Sequence, residues 1–197
     1  MRKFLPSIHG FKFANSFDTQ PLFKLFGKIP VGNAANGLCG GMVLTALDYF
    51  LSEKNIPSDE NSPNFGNELY HYLVKRQIDS LNLPFGAVKN YLWTAYSEIL
   101  FETLKELLFS NKSYPVPLTL INVHSWNPLS TFKNHQVLAY ENDLLKSATI
   151  KIYDPNYPGD DDVHLKVTIG EEMDFWHSHS GYFRGFYVSK YHEKNPS

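Results

Sequence analysis

Pro115-Val116-Pro117-Leu118-Thr119-Leu120-Ile121-Asn122-Val123 is where the hydrophobic pattern of this 197-residue chain changes period. Upstream, apolar residues recur every three or four positions. Downstream they form short β-branched or aromatic runs at 116–123, 136–140, 148–153, 163–169 and 182–189, parted by Pro, Gly, Asn and Asp clusters. A helical first half followed by a strand-rich second half predicts an α+β fold with segregated lobes. The length fits one domain, residues 1–197.

Working upstream, Cys39, Met42, Val43, Ala46, Leu47 and Phe50 form a helical stripe that ends near Glu53, before Asn55 and Pro57. A second helix is predicted over 67–81, burying Leu69, Tyr72, Leu73, Ile78 and Leu81. A third, short helix reaches Tyr96 after Pro84 and Gly86, and Ser97 opens a fourth that carries Leu100, Leu104 and Leu108. Residues 1–36, broken by Pro6, Pro21, Pro30, Gly27 and Gly32, read as an irregular wrapping segment. The layout is therefore 1–36 wrapping, 37–112 helical lobe and 113–192 β-lobe, with residues 193–197 expected to fray.

Composition removes several classes of function. A 43% hydrophobic fraction with 15% aromatics is enough for a buried core, and a formal charge of −2 gives no basic footprint for nucleic acid. No run approaches the ~20 apolar residues of a membrane helix. The first ten residues carry Arg2 and Lys3 but no continuous apolar stretch, so no secretory signal is expected and the location expected is cytoplasmic. One cysteine excludes an internal disulfide and a multi-cysteine zinc site. Neither metal nor organic cofactor is expected. Gly159-Asp160-Asp161-Asp162 reads as a solvated acidic turn, and His177-Ser178-His179 as a loop.

Cys39 opens the first helix in Asn36-Gly37-Leu38-Cys39-Gly40-Gly41-Met42. A helix N-terminus favours a thiolate, and an imidazolium nearby favours it further. Gly40 and Gly41 are poor helix formers, which suits close approach of a substrate backbone and leaves first-turn amides for a developing oxyanion. On Cys39 alone, the better reading is a small buried hydrophobe. Its downstream partners reverse that. His135 begins the alternating run Asn134-His135-Gln136-Val137-Leu138-Ala139-Tyr140, placed to lean over a cleft as general base. The other seven histidines, His177 among them, read as structural. Asp154 closes a strand before Pro155, where an acid can fix the tautomer of His135 or simply form a turn, and Asn156 is the alternative orienting group.

These three stretches together resemble the papain-like cysteine peptidase superfamily, nearest the branch of bacteriocin-leader-cleaving peptidases. The resemblance covers residues 30–190 in layout and about 20 residues in motif. It implies a helical lobe carrying Cys39 packed against an antiparallel β-lobe carrying His135 and Asp154, with the cleft between them. It implies roles too: Cys39 as nucleophile, His135 as base, Asp154 as orienting acid, and a peptide or protein as substrate. The superfamily places a glutamine six residues before the cysteine as oxyanion donor. Here that position is Asn33, and Asn36 and Gln20 are the other amides in reach. The expected function is hydrolysis of an amide through a Cys thioester. A transglutaminase- or deamidase-like acyl transfer uses the same chemistry, and a non-catalytic protein of the same fold would not need the three side chains in contact.

Overall fold

The computed structural model describes residues 2–19, 23–25, 29–31, 33–34, 37–82, 115–122, 134–143, 149–168 and 174–196. The third and fourth predicted helices, at 84–108, lie outside these residues.

Two long helices are described. The first, α2 (Cys39–Leu51), follows the short α1 (Pro6–His9), and α3 is Glu68–Leu81. Asn67 caps α3 by accepting from the Leu69 amide at 2.8 Å, and Asn82 ends it in the left-handed conformation (φ 46°). On α2 the buried set is wider than the predicted stripe, since Leu44, Thr45 and Asp48 are buried as well. A helix buried almost all round must have neighbours on every side. Val43, Leu44, Ala46, Leu47 and Phe50 pack with Phe4, Leu138 and Tyr153, whereas Leu38 and Met42 pack with Phe11, Phe13, Tyr70 and Leu73. The N-terminal segment thus wraps α2 with Phe4, Phe11 and Phe13. That segment is not wholly irregular: β1 (Phe23–Leu25) and β2 (Ile29–Val31) pair antiparallel within it.

The second half forms one antiparallel sheet of seven strands: β3 (Val116–Ile121), β4 (His135–Asp143), β5 (Thr149–Tyr153), β6 (His164–Thr168), β7 (Asp174–His177), β8 (Gly181–Phe183) and β9 (Gly185–Val188). Its order is β8-β7-β6-β5-β4-β3-β9. Strands β8 and β9 lie at opposite edges, yet only Arg184 separates them in sequence. The sheet must therefore curl until its two edges come together at Arg184, whose amide donates to the Ile121 carbonyl of β3 (2.9 Å) and so starts the β3–β9 pairing. Leu118, Leu120, Val137, Ala139, Ile150, Ile152, Leu165, Val167, Phe175, Phe183, Phe186 and Val188 fill the inside.

Three expectations are corrected. The run 182–189 is not one strand: it breaks at Arg184 into β8 and β9, parity slips there, and Phe183 and Phe186 both enter the core. His177 closes strand β7 rather than lying in a loop. The tail is docked rather than frayed. Asp48 is fully buried and needs donors, and the chain end supplies them through the Tyr191 hydroxyl (2.8 Å) and the Lys194 amide (3.1 Å).

Candidate active site

Inward-facing residues alternate along each strand, and at one end of the barrel three of these columns finish in polar groups. On β4 the column Ala139, Val137 ends at His135; on β5, Ile150, Ile152 ends at Asp154 just past the strand; on β7, Phe175 ends at His177. Antiparallel pairing brings these three ends to the same rim. Across it stands the N-terminus of α2, with Cys39 as its first residue.

The Cys39 thiol hydrogen-bonds to the His135 side chain. His135 Nε2 lies 2.7 Å from Asp154 Oδ1. Burial acts to raise the Cys39 thiol. The hydrogen bond and charge of His135, with the amides of Gln136 and Gly40 directed at the sulfur, outweigh it and hold the thiol below its ordinary range. On His135 burial pulls downward, but the hydrogen bond and charge of Asp154, joined by those of Cys39, push it up to about 10. Asp154 is lifted by burial, yet the bond and charge of His135, the bond from His177 and the Asn156 amide hold it well below the usual carboxylate range. His135 is an imidazolium at neutral pH with the Asp154 carboxylate behind it, and its charge favours the thiolate form of Cys39.

Asn156 sits in this group in a supporting position. Its backbone amide donates to Asp154 Oδ1 at 2.8 Å, and its side-chain Nδ2 is 3.4 Å from His135 Nε2. The orientation of that side chain is fixed by its neighbours. Asn15 Oδ1 accepts from the Leu38 amide (2.5 Å), so Asn15 Nδ2 is the atom that faces Asn156 Oδ1 (3.2 Å). Asn156 consequently turns its amide nitrogen, a donor, towards the Nε2–H of His135 and cannot accept from it. The orienting acceptor is Asp154.

The two glycines serve a different purpose from the one their sequence suggested. A Cβ on Gly40 would lie 2.2 Å from both Gln136 Oε1 and Ser80 Oγ, and one on Gly41 would lie 2.2 Å from the Leu73 carbonyl oxygen of α3. They let α3 and β4 press against the first turn of α2, so the approach they permit is internal packing. The Gly41 amide is taken by Gln77 Oε1 (2.8 Å), and the Gly40 amide faces the sulfur. Asn33 is half-buried ahead of α2, and Asn36 and Gln20 lie outside the described residues.

Sequence reasoning missed three contributors. His177 bonds Asp154 Oδ2 through Nε2 at 2.9 Å. Asn15 ties the Leu38 amide to the Asp154 turn, its own amide donating to the Pro155 carbonyl (3.0 Å). Gln136 turns its amide to the sulfur. Only His177 left a trace in the sequence, its shared parity with the core Phe175 in Asp174-Phe175-Trp176-His177, and that run is too short to decide.

The acidic turn acts as a fastener: Asp161 accepts from both the amide (2.8 Å) and the hydroxyl (2.6 Å) of Ser7, and Asp160 pairs with His179. Among the described residues no cluster of His, Cys, Asp and Glu could hold a metal ion, and no helix is long and apolar enough to cross a membrane. Compared with family models, curated proteins and solved structures, the chain matches none.

Proposed function

We propose that this chain is a thiol hydrolase that cleaves an amide or peptide bond through a Cys39 thioester, in a papain-like arrangement of helix N-terminus against β-barrel rim. The observation that carries the reading is the unbroken series from Cys39 through His135 to Asp154, with the thiol lowered and the imidazole raised to about 10. A structural cysteine has no use for such a partner. The contact between Cys39 and His135 supports this reading over a non-catalytic protein of the same fold.

The steps follow from the protonation states. Cys39 Sγ attacks the carbonyl carbon, forming the C–S bond while the C=O electron pair moves to oxygen. The Cys39 amide, one of the first-turn donors of α2, is the nearest candidate to receive that oxyanion, and Asn33 is the side-chain candidate. His135 passes its proton to the leaving nitrogen, and the C–N bond breaks to give the amine and a thioester. A water molecule then gives its proton to His135 and attacks. Breaking of the C–S bond releases the acid and restores thiolate and imidazolium. Asp154 stays ionised throughout and holds the ring.

Acid quenching during turnover of a peptide mixture, followed by intact-mass measurement, should reveal an acyl group on the wild-type chain that Cys39→Ala lacks. Undiminished turnover by Cys39→Ala would overturn the assignment.

A further inference from the structure

We infer that His177 is a positioning residue for the same chemistry: a buried hydrogen-bond donor that holds Asp154 aimed at His135. This rests on the proposed triad. His177 is buried, and its ring nitrogens have opposite tasks. Nδ1 accepts two backbone amides, from His179 and Ser180, each at 3.1 Å. Nε2 therefore carries the proton and donates it to Asp154 Oδ2 at 2.9 Å.

The carboxylate is thus supplied on both oxygens, by His135 and the Asn156 amide on Oδ1 and by His177 on Oδ2. A lysine or arginine in place of His177 would add a second positive charge and compete with the His135 imidazolium for Asp154. A neutral imidazole donates a hydrogen bond to the buried anion without that competition. The titratable groups facing His177 are Asp154 from the end of β5, Tyr157 with its ring 5.7 Å away, and His179 at 6.2 Å, itself paired with Asp160. Beyond Asp154 stand His135 and Cys39. His177 touches none of the reacting atoms and acts through Asp154 alone.

The pH dependence of Cys39 alkylation by iodoacetamide reads this action directly. With His177→Phe, Asp154 loses the donor on Oδ2, binds protons more readily and supports the His135 imidazolium less. The acid limb should move up and the alkaline limb down. On the acid limb, labelling at a given pH should slow roughly tenfold when that limb rises by about one pH unit. His177→Gln keeps a donor near the Nε2 position and should retain most of the wild-type profile. His177→Asn puts its amide where Nδ1 was and should behave like His177→Phe. If Phe does not fold, the comparison of Gln with Asn still decides. An unmoved window in a folded His177→Phe, or identical profiles for Gln and Asn, would overturn the role of His177. Ordinary thiol behaviour in the wild type would instead overturn the triad itself.

Discussion

Asp154 and Asn156 stand two positions apart on one turn, and the sequence alone left either able to orient His135. Their hydrogen bonds separate them: Asp154 accepts from the ring, while Asn156 presents a donor to it. Asp154→Ala should therefore cut turnover by orders of magnitude, as loss of tautomer control does, whereas Asn156→Ala should cost little beyond roughly 1 kcal/mol of turn stability. Steady-state kinetics and urea titration of both variants check this; equal, mild losses would mean a Cys–His dyad. The pH profile follows from the same contacts. The Cys39 thiol is held below its ordinary range by His135, and His135 holds its proton up to about pH 10. The rate constant kcat/KM should rise as Cys39 loses its proton, at a pH below the ordinary thiol range, stay level, and fall as pH passes about 10. These three residues were legible because each stands at an element's end beside punctuation: a Gly pair after Cys39, Asn134 before His135, Pro155 after Asp154. His177 was not, since a four-residue strand offers too short an alternation to be told from a loop, and neighbouring His179 made the pair look like solvated loop residues.

At the level of elements, the site depends on how closely α2 lies against α3 and β4. Both glycine positions are tight, but the obstacles differ. The Leu73 carbonyl that would meet a Gly41 Cβ is helix backbone and cannot swing aside, whereas Ser80 and Gln136 are side chains. Gly41→Ala should therefore destabilise by about 1–3 kcal/mol as overpacking does. Gly40→Ala should be milder in denaturant unfolding but more damaging to Cys39 reactivity, because Gln136 holds its amide against the sulfur. Denaturant midpoints and alkylation rates measured together distinguish them. The period of the apolar residues made α2, α3 and most of the strands readable. It could not show that the sheet closes, since closure depends on the Arg184 break, where one short run serves two strands at opposite edges. The internal role of the glycines was hidden for a similar reason: a pattern along one helix does not say which neighbour presses on it.

Across the whole molecule, an anionic pin joins the helices to the chain end. Buried Asp48 of α2 pairs with Arg76 Nε of α3 at 2.8 Å and accepts from Tyr72, Tyr191 and the Lys194 amide, while Lys194 Nζ reaches Asp79 at 2.5 Å. Deleting residues 191–197 strips two of these donors from a buried carboxylate. It should lower stability by at least about 2 kcal/mol, visible as a depressed melting temperature. Arg76→Met, which leaves Asp48 buried without its cation, should cost about 3–5 kcal/mol. The pin was illegible in sequence because its members come from three distant stretches, and nothing local marks a chain end as docked. This rigidity serves one junction, where the first residue of a helix meets the rim of a barrel. The most direct test of that junction is the rate of Cys39 alkylation by iodoacetamide against pH, in the wild type and in His135→Ala. The ion pair predicts wild-type labelling that sets in below the ordinary thiol range and stays flat up to about pH 10, with His135→Ala reverting to an ordinary or raised thiol titration. A wild-type profile that titrates near pH ~8.5, unchanged by His135→Ala, would contradict it.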